Sequence, residues 1–433
     1  MSNWSDAEAR VLTALDEERL VQTLVELVRV PSVTGSAAES ELQALLAARL
    51  TELDLTVDSW QLELDELYAA ADFPGVEADR SEGYGVVGSA AGVDGEQVPA
   101  LVLQGHVDVV PVGDPAKWNH ADPFQAKISG DILNGRGACD MKAGLAANLA
   151  VAQALRESGL RFERGSALHC VVSEEDGGLG AYATLRRGHT GEVAVIPEPT
   201  SGRLVTACAG ALTFALEVPG RAAHGSARLS GVSAIENYLA LHPVLAELEA
   251  RRNTDPDPLF AGNPLPYAIS VGTVRGGDWA SSVPDRLTAE GRMGVRLDED
   301  PADARAELEH AVAEACARHP FLRDHPVRVS WPGGQFGSGR IEADHGFVAE
   351  TQQAIAAVTG QQAAPGAMPY GSDLRLYAGV GGIPTLHYGP GDVAMAHAPR
   401  EQVSLAETIQ VARTLAVLAV RRLGGHAGTG SRG

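Results

Sequence analysis

The sequence predicts an α/β protein into which a smaller α+β sandwich has been inserted. Three observations point that way. Short apolar runs alternate with helical patterns in the first and last parts of the chain, and the middle part changes to a strand-helix-strand-strand-helix-strand order. At 433 residues and 45% hydrophobic content, the chain also exceeds what one compact core usually holds.

Taken in order, Leu20, Leu24, Val25 and Val28 recur at helical spacing and stop before Pro31, which disfavours continuation. A second helix is expected from about residue 39 to 53. Residues 72–83, rich in Asp, Glu, Gly and Pro, read as a surface loop. ALVLQ before Gly105, SALHCVVS before Glu174, EVAVI before Pro197 and IPTLHY before Gly389 are short, β-rich and followed at once by polar clusters. Helical patterns at 143–155 and 347–358 intervene, as in a sheet flanked by helices. In open sheets of this kind, sites lie beyond the carboxyl ends of the strands, where His106, Glu174, Glu175, Glu198 and His397 fall. From Ala209 the order is ALTFALEV, a helix at 233–251, a Pro-rich loop, AISVGTV, LTAEGRMGVRL, a helix at 301–318 and VRVSW. The expected domains are therefore 1–208 with 337–433, and 209–336 inserted between them. The terminal GGHAGTGSRG is expected to be disordered.

A net charge of −22 with no Lys/Arg-rich run argues against a nucleic-acid partner, since a phosphate backbone needs a basic face. The polar, acidic amino terminus lacks the pattern of a secretory leader, and no window is apolar enough to span a membrane; a cytoplasmic location is expected. Cys139, Cys170, Cys208 and Cys316 lack CxxC spacing and read as buried free thiols.

Five candidate ligands each stand in a Gly- or Pro-punctuated turn: His106 in GHVDVVP, Asp140 in GRGACDMKAG, Glu175 in SEEDGG, Glu198 in IPEPT and His397 in AMAHAPREQV. Imidazole and carboxylate together suit zinc, with cobalt or manganese as alternatives. Five groups are too many for one tetrahedral ion with an open position. They suffice for two divalent ions if one carboxylate bridges them, and Asp140 is the expected bridge. Glu174 and Glu175, adjacent after a strand apolar enough to be buried, would repel unless a cation or proton compensates.

Occurring together and in this order, GHVDVVP, GRGACDMK, SEEDGG, PEPT and the late GPGD/His397 segment resemble peptidase family M20, the group of acetylornithine deacetylase, succinyl-diaminopimelate desuccinylase, aminoacylase-1 and glutamate carboxypeptidase. The resemblance runs from about residue 21 to 420, and Trp118 and Asp122-Pro123-Phe124 fit its deacetylase branch. It implies a zinc-peptidase-like three-layer catalytic domain with an inserted lid and dimerisation domain. It further implies that His106 and Glu198 hold one ion, Glu175 and His397 the other, and Asp140 both. Glu174 becomes the general base, Asp108 fixes the His106 imidazole, and a cis peptide joins Asp140 to Met141. His224 in GRAAHGS matches the family's oxyanion donor, acting in the neighbour's site of a homodimer. Arg296 matches an arginine that grips the substrate carboxylate, and Gly371, Ser372 and Gly389 should line the cleft. Ala143, where many relatives have glycine, and Ser281-Ser282, where several have asparagine nearby, depart from the pattern. The expected activity is amide hydrolysis of an N-acyl amino acid, as by an acetylornithine deacetylase, or of a short peptide, as by a carboxypeptidase or dipeptidase.

Overall fold

Ser5 and Glu8 exchange hydrogen bonds between side chain and backbone, a capping box that starts helix Asp6–Ala14 ahead of the first expected helix. In this computed structural model, which describes residues 4–118 and 122–427, helices Glu17–Arg29 and Ala37–Glu52 follow. Their inner faces are Leu20, Leu24 and Leu27 on one and Leu42, Leu46 and Leu50 on the other, all buried. The chain divides into two units: Met1–Thr206 with Arg340–Gly366 and Leu376–Gly433, and Ala207–Gly339 with Ala367–Arg375. The stretch 367–375, which the sequence left with the outer domain, thus belongs to the inserted one.

Six strands of the outer sheet lie in the order Thr56–Gln61, Tyr84–Ala90, Ser166–Val171, Leu101–His106, Ala194–Ile196, Thr385–His387. Leu101–His106 is parallel to both its neighbours, and Ala194–Ile196 is parallel to Thr385–His387. The first two strands add an antiparallel edge that the sequence did not announce, so the sheet is mixed. Every residue of Leu101–His106 is buried, because both of its faces are covered. Helix Ala143–Glu157 packs on it and is buried along nearly its whole length. Its alanines allow close approach, and at Gly144 a Cβ would stand 2.2 Å from the Pro197 carbonyl oxygen. Helix Leu405–Leu423 lies against that helix and ends at Gly424, whose φ of +66° suits a helix stop. Gly425–Ala427 then pairs with Leu160–Phe162, so the start of the tail is a strand rather than disordered; residues 428–433 lie outside the described residues.

Within the inserted unit, an antiparallel sheet runs Ile269–Gly276, Arg286–Val295, Gly210–Pro219, Arg328–Ser330. Strand Gly210–Pro219 alternates strictly: Leu212, Phe214, Leu216 and Val218 are buried, and the residues between them are less so. That apolar face and Leu287, Ala289, Met293 and Val295 of the next strand form one core with helices Ala234–Arg252 and Pro301–Arg318. Among the described residues no helix is long and apolar enough to cross a membrane, and all four cysteines are buried and free.

Candidate metal centre

All five candidate ligands belong to the outer unit, and the sheet explains how three of them, together with Glu174, meet. His106 ends its strand, Glu174 and Glu175 follow the next strand within four residues of Val171, and Glu198 stands two residues past Ile196. Parallel strands deliver these side chains to one edge. His397 comes from a longer loop and adopts φ 59°, a backbone rarely used by residues other than glycine or asparagine.

The two oxygens of Asp140 face different histidines. Oδ1 lies 3.2 Å from His106 Nε2, and Oδ2 lies 3.4 Å from His397 Nε2. His106 Nε2 is also 3.8 Å from Glu198 Oε1, and His397 Nε2 is 2.9 Å from Glu175 Oε2. Donor atoms of His106, Asp140 and Glu175 fall within 4.8 Å of one another, as do those of His106, Glu174 and Glu198. Glu175 Oε1 is buried with no hydrogen-bond partner among the described residues. Two imidazoles, the surrounding carboxylates and a buried oxygen with nothing to accept from are a donor set that fits divalent cations. The peptide between Asp140 and Met141 is cis.

The electrostatics carry the same signature. Burial alone would lower the pKa of His106, yet its bonds to Asp108 and Asp140 and the charge of Glu198 hold it well above the ordinary imidazole value. The charge of Glu175, against burial, pushes His397 up to about 11. Burial raises the Glu175 carboxyl, while both histidines hold Asp140 well below the usual carboxylate range despite its burial. Carboxylates gathered in a low-dielectric place draw positive charge onto whatever can take it, and here His106 and His397 take it.

Supporting groups fix this arrangement. The His106 Nδ1 is 2.9 Å from the Asp108 carbonyl oxygen and 3.5 Å from its Oδ1. The Asp108 carboxylate accepts from the backbone N–H of Glu174 at 3.1 Å, that of Glu175 at 3.2 Å and the Thr34 hydroxyl at 3.0 Å. One buried group therefore orients an imidazole and the turn bearing both glutamates. A second such group escaped the sequence reading. Glu401 accepts from the backbone N–H of Cys139 and Asp140 at 3.0 and 3.1 Å and pairs with Arg136 at 2.5 Å. Arg136 in turn donates to the carbonyl of His397 at 3.4 Å and lies over the Trp118 ring. The only signal that could have found the pair is a buried arginine's need for an acid, and its acid is 265 residues away in sequence.

Residues 72–83 form the expected surface loop, and it is anchored to the site. The Asp176 carboxylate accepts from the backbone N–H of Ala78 at 2.8 Å and Glu77 at 3.2 Å and also from the Ser173 hydroxyl. Buried Arg80 pairs with buried Glu39 at 2.9 Å, and Glu39 accepts from the Ser173 backbone N–H at 3.1 Å. A Cβ on Gly177 would stand 2.1 Å from the Gly75 carbonyl oxygen. The strap therefore grips the turn that carries Glu174 and Glu175.

The remaining expected site residues divide between the units. Gly389, in the outer unit, is required by packing: a Cβ there would stand 2.2 Å from the carbonyl oxygens of both Pro197 and Glu198. His224, Arg296, Gly371 and Ser372 belong to the inserted unit. His224 is exposed, and its Nδ1 lies 2.8 Å from the Ser226 hydroxyl. Gly371 packs on the Phe336 ring, and Ser372 is buried. Arg296 falls one residue beyond strand Arg286–Val295 rather than on it, and its Nη1 is 3.6 Å from Glu299 and 3.8 Å from Glu307.

Comparison with known proteins fits this geometry. The chain is 25% identical over 422 residues to N-formyl-4-amino-5-aminomethyl-2-methylpyrimidine deformylase of Bacillus subtilis (strain 168), covering 92% of this chain and 93% of that protein. It is 30% identical over 323 residues to a probable carboxypeptidase of Arthroderma gypseum, covering 71% and 66%. The dipeptidase Dug1p of Saccharomyces cerevisiae shares the fold with a TM-score of 0.75 at 14% identity, over 97% of this chain and 99% of that one. The model of peptidase family M20/M25/M40 matches residues 102–421, and with it the whole ligand constellation. This chain belongs to peptidase family M20/M25/M40, a family of amide-hydrolysing enzymes.

Proposed function

We propose that the protein is a two-metal amidohydrolase that cleaves an N-acyl amino acid, with zinc as the first choice of ion and cobalt or manganese as alternatives. The observation that carries this reading is Asp140, whose two oxygens each face a histidine and so are placed to serve two ions at once. His106 and Glu198 would hold one ion, Glu175 and His397 the other. When bound, the ions would supply Lewis acidity, lowering the pKa of a water at the site and polarising the amide carbonyl. Glu174, held by the Asp108 bond to its backbone N–H, takes the proton of the attacking water and returns it to the leaving amine. His224 supplies a donor to the developing oxyanion.

We further place His224 in a homodimer, serving the neighbour's site. Supporting this, the inserted unit exposes Leu229, Leu239, Val274 and Trp279, and Val274 lies on an edge strand with no partner on its outer side among the described residues. The similarity to a probable carboxypeptidase supports a second reading, hydrolysis of a C-terminal amino acid from a short peptide by the same base. The deformylase relative supports small acyl groups on the amide.

The test is a panel of N-formyl, N-acetyl and N-succinyl amino acids beside short peptides, assayed before and after chelation. Loss of hydrolysis on chelation and return with zinc, cobalt or manganese is the expected outcome. Glu174→Gln should keep its metal content, read by elemental analysis, while turnover falls by about 10²- to 10⁴-fold. Loss of metal from that variant would transfer the ligand role from Glu175 to Glu174.

A further inference from the structure

The turn that carries Glu174 and Glu175 is an uncommon piece of backbone. Ser173 enters it at φ 62°, a left-handed conformation in which a residue with a Cβ is rarely held, and Gly178 leaves it at φ 83°. Such a conformation persists where the surrounding bonds over-determine it. Here each backbone N–H from 173 to 175 is bound by a buried carboxylate: that of Ser173 by Glu39, those of Glu174 and Glu175 by Asp108.

Asp176 differs from those two anchors because it belongs to the turn itself. It is 5% exposed. Its Oδ1 accepts from the Ser173 hydroxyl, closing the turn across both glutamates, and its Oδ2 accepts from the backbone N–H of Ala78 and Glu77. One carboxylate thus spans Glu174 and Glu175 and fastens them to the strap, 98 residues earlier in sequence at Ala78. A carboxylate whose only task was to close a local turn could leave its second oxygen to water. This one is turned away from solvent and directs that oxygen at two strap N–H groups. Arg80, on the same strap, supplies the countercharge: it pairs with Glu39, and the charges of Asp176 and Asp108 act on it too. The strap's cation is therefore shared by all three carboxylates that hold the turn.

Glu174 is 7% exposed, and its donor atom lies within 4.8 Å of those of His106 and Glu198. At such range small shifts matter, since misplacing a reacting group by about 1 Å can cost about 100-fold in rate. We propose that Asp176 is a positioning residue for the general base: tied to Ser173 on one side and to the strap on the other, it holds Glu174 at the metal centre, so that the strap at 72–83 governs turnover. All of these groups belong to the outer unit. This rests on the amidohydrolase reading, in which Glu174 is the base.

The experiment compares wild type, Asp176→Ala and Asp176→Asn as full-length enzyme with zinc in excess. Asp176→Ala should lower kcat about tenfold to a hundredfold, with KM and bound zinc little changed. Asp176→Asn should recover most of that loss, since its carbonyl oxygen can still accept from the strap and its amide can donate to Ser173. In a Glu174→Gln background, Asp176→Ala should cost less than about twofold more, because a residue acting through the base has nothing left to position. Unchanged turnover in Asp176→Ala, an effect on KM alone, or the same loss repeated without the base would overturn the assignment. Hydrogen exchange provides an arm that needs no turnover: Asp176→Ala should speed exchange at Glu77 and Ala78 and also at Glu174 and Glu175. Release of the strap alone, with both glutamates as protected as in wild type, refutes the coupling. Ser173→Ala cuts only the hydroxyl end of the link; if Asp176→Ala does not fold, it carries the same arms with a smaller expected loss, about threefold to tenfold. A wild type that hydrolyses no panel member while exchange shows the coupling would instead refute the amidohydrolase reading alone.

Discussion

Asp108 shows how much a single side chain can organise. It meets His106 on one side and the backbone of Glu174 and Glu175 on the other, so Asp108→Ala should weaken metal binding by about 10- to 100-fold, measured by metal retained against graded chelator. The family resemblance carried by GHVD pointed to this residue, which stands two positions from His106. Glu401 and Arg136 act the same way on Asp140 and His397 but could not be read, since neither stands in a motif and only the fold brings them together. His169 poses a separate question, that of pH. It is fully enclosed, its Nδ1 lies 2.7 Å from the Tyr377 hydroxyl, and burial lowers its pKa to about 3. The folded state therefore binds fewer protons than the unfolded chain between that value and the ordinary imidazole pKa near 6.5. The stability it contributes is complete above about pH 6.5 and is lost as the pH falls through that window, at about 1.4 kcal/mol per pH unit. Denaturant midpoints measured from pH 7 to pH 5 should fall less steeply in His169→Gln, which keeps a polar partner for Tyr377 and does not titrate.

At the scale of elements, helices were the legible part. The apolar spacing of Leu20, Leu24 and Val28 and the run of alanines from Ala143 placed two helices within a few residues of their observed ends. Pairing between distant strands was not legible: nothing local in TVDSWQ or in Gly425–Ala427 says which strand it will meet. The strap at 72–83 is a loop at the surface, as its composition says, but its anchoring was not legible, for a related reason. Its Asp, Glu and Gly content is that of a loop, and only the fold shows that Asp176 and Glu39 bind it. Arg80→Met should cost about 3–5 kcal/mol in chemical denaturation, because it leaves Glu39 buried without its cation. Glu39→Leu with Arg80→Met should recover much of that loss, since an apolar pair removes both charges together. A single variant as stable as wild type would show that the pair contributes nothing net.

For the whole molecule, the division into two units was legible from the change of pattern near Ala209. The return of 367–375 to the inserted unit was not, because that stretch carries no strand-helix rhythm of its own. The homodimer proposal is tested at this scale by mixing Glu174→Gln with His224→Ala under conditions of verified subunit exchange. A mixed dimer would then hold one site with both residues intact, and random exchange should restore about a quarter of wild-type activity. No recovery would place His224 within its own chain or outside catalysis. The discontinuity of the outer unit also bears on how the protein is made. Helix Ala143–Glu157 is apolar on nearly every side, and helix Leu405–Leu423, which packs on it, is encoded about 250 residues later. At roughly 5–20 residues per second, a ribosome needs roughly ten to fifty seconds to cross that interval. During that time the nascent helix lacks one of its walls, and the enzyme lacks His397. The inserted unit too is completed late, since it takes in 367–375, so neither unit has all of its chain until most of the protein has been made.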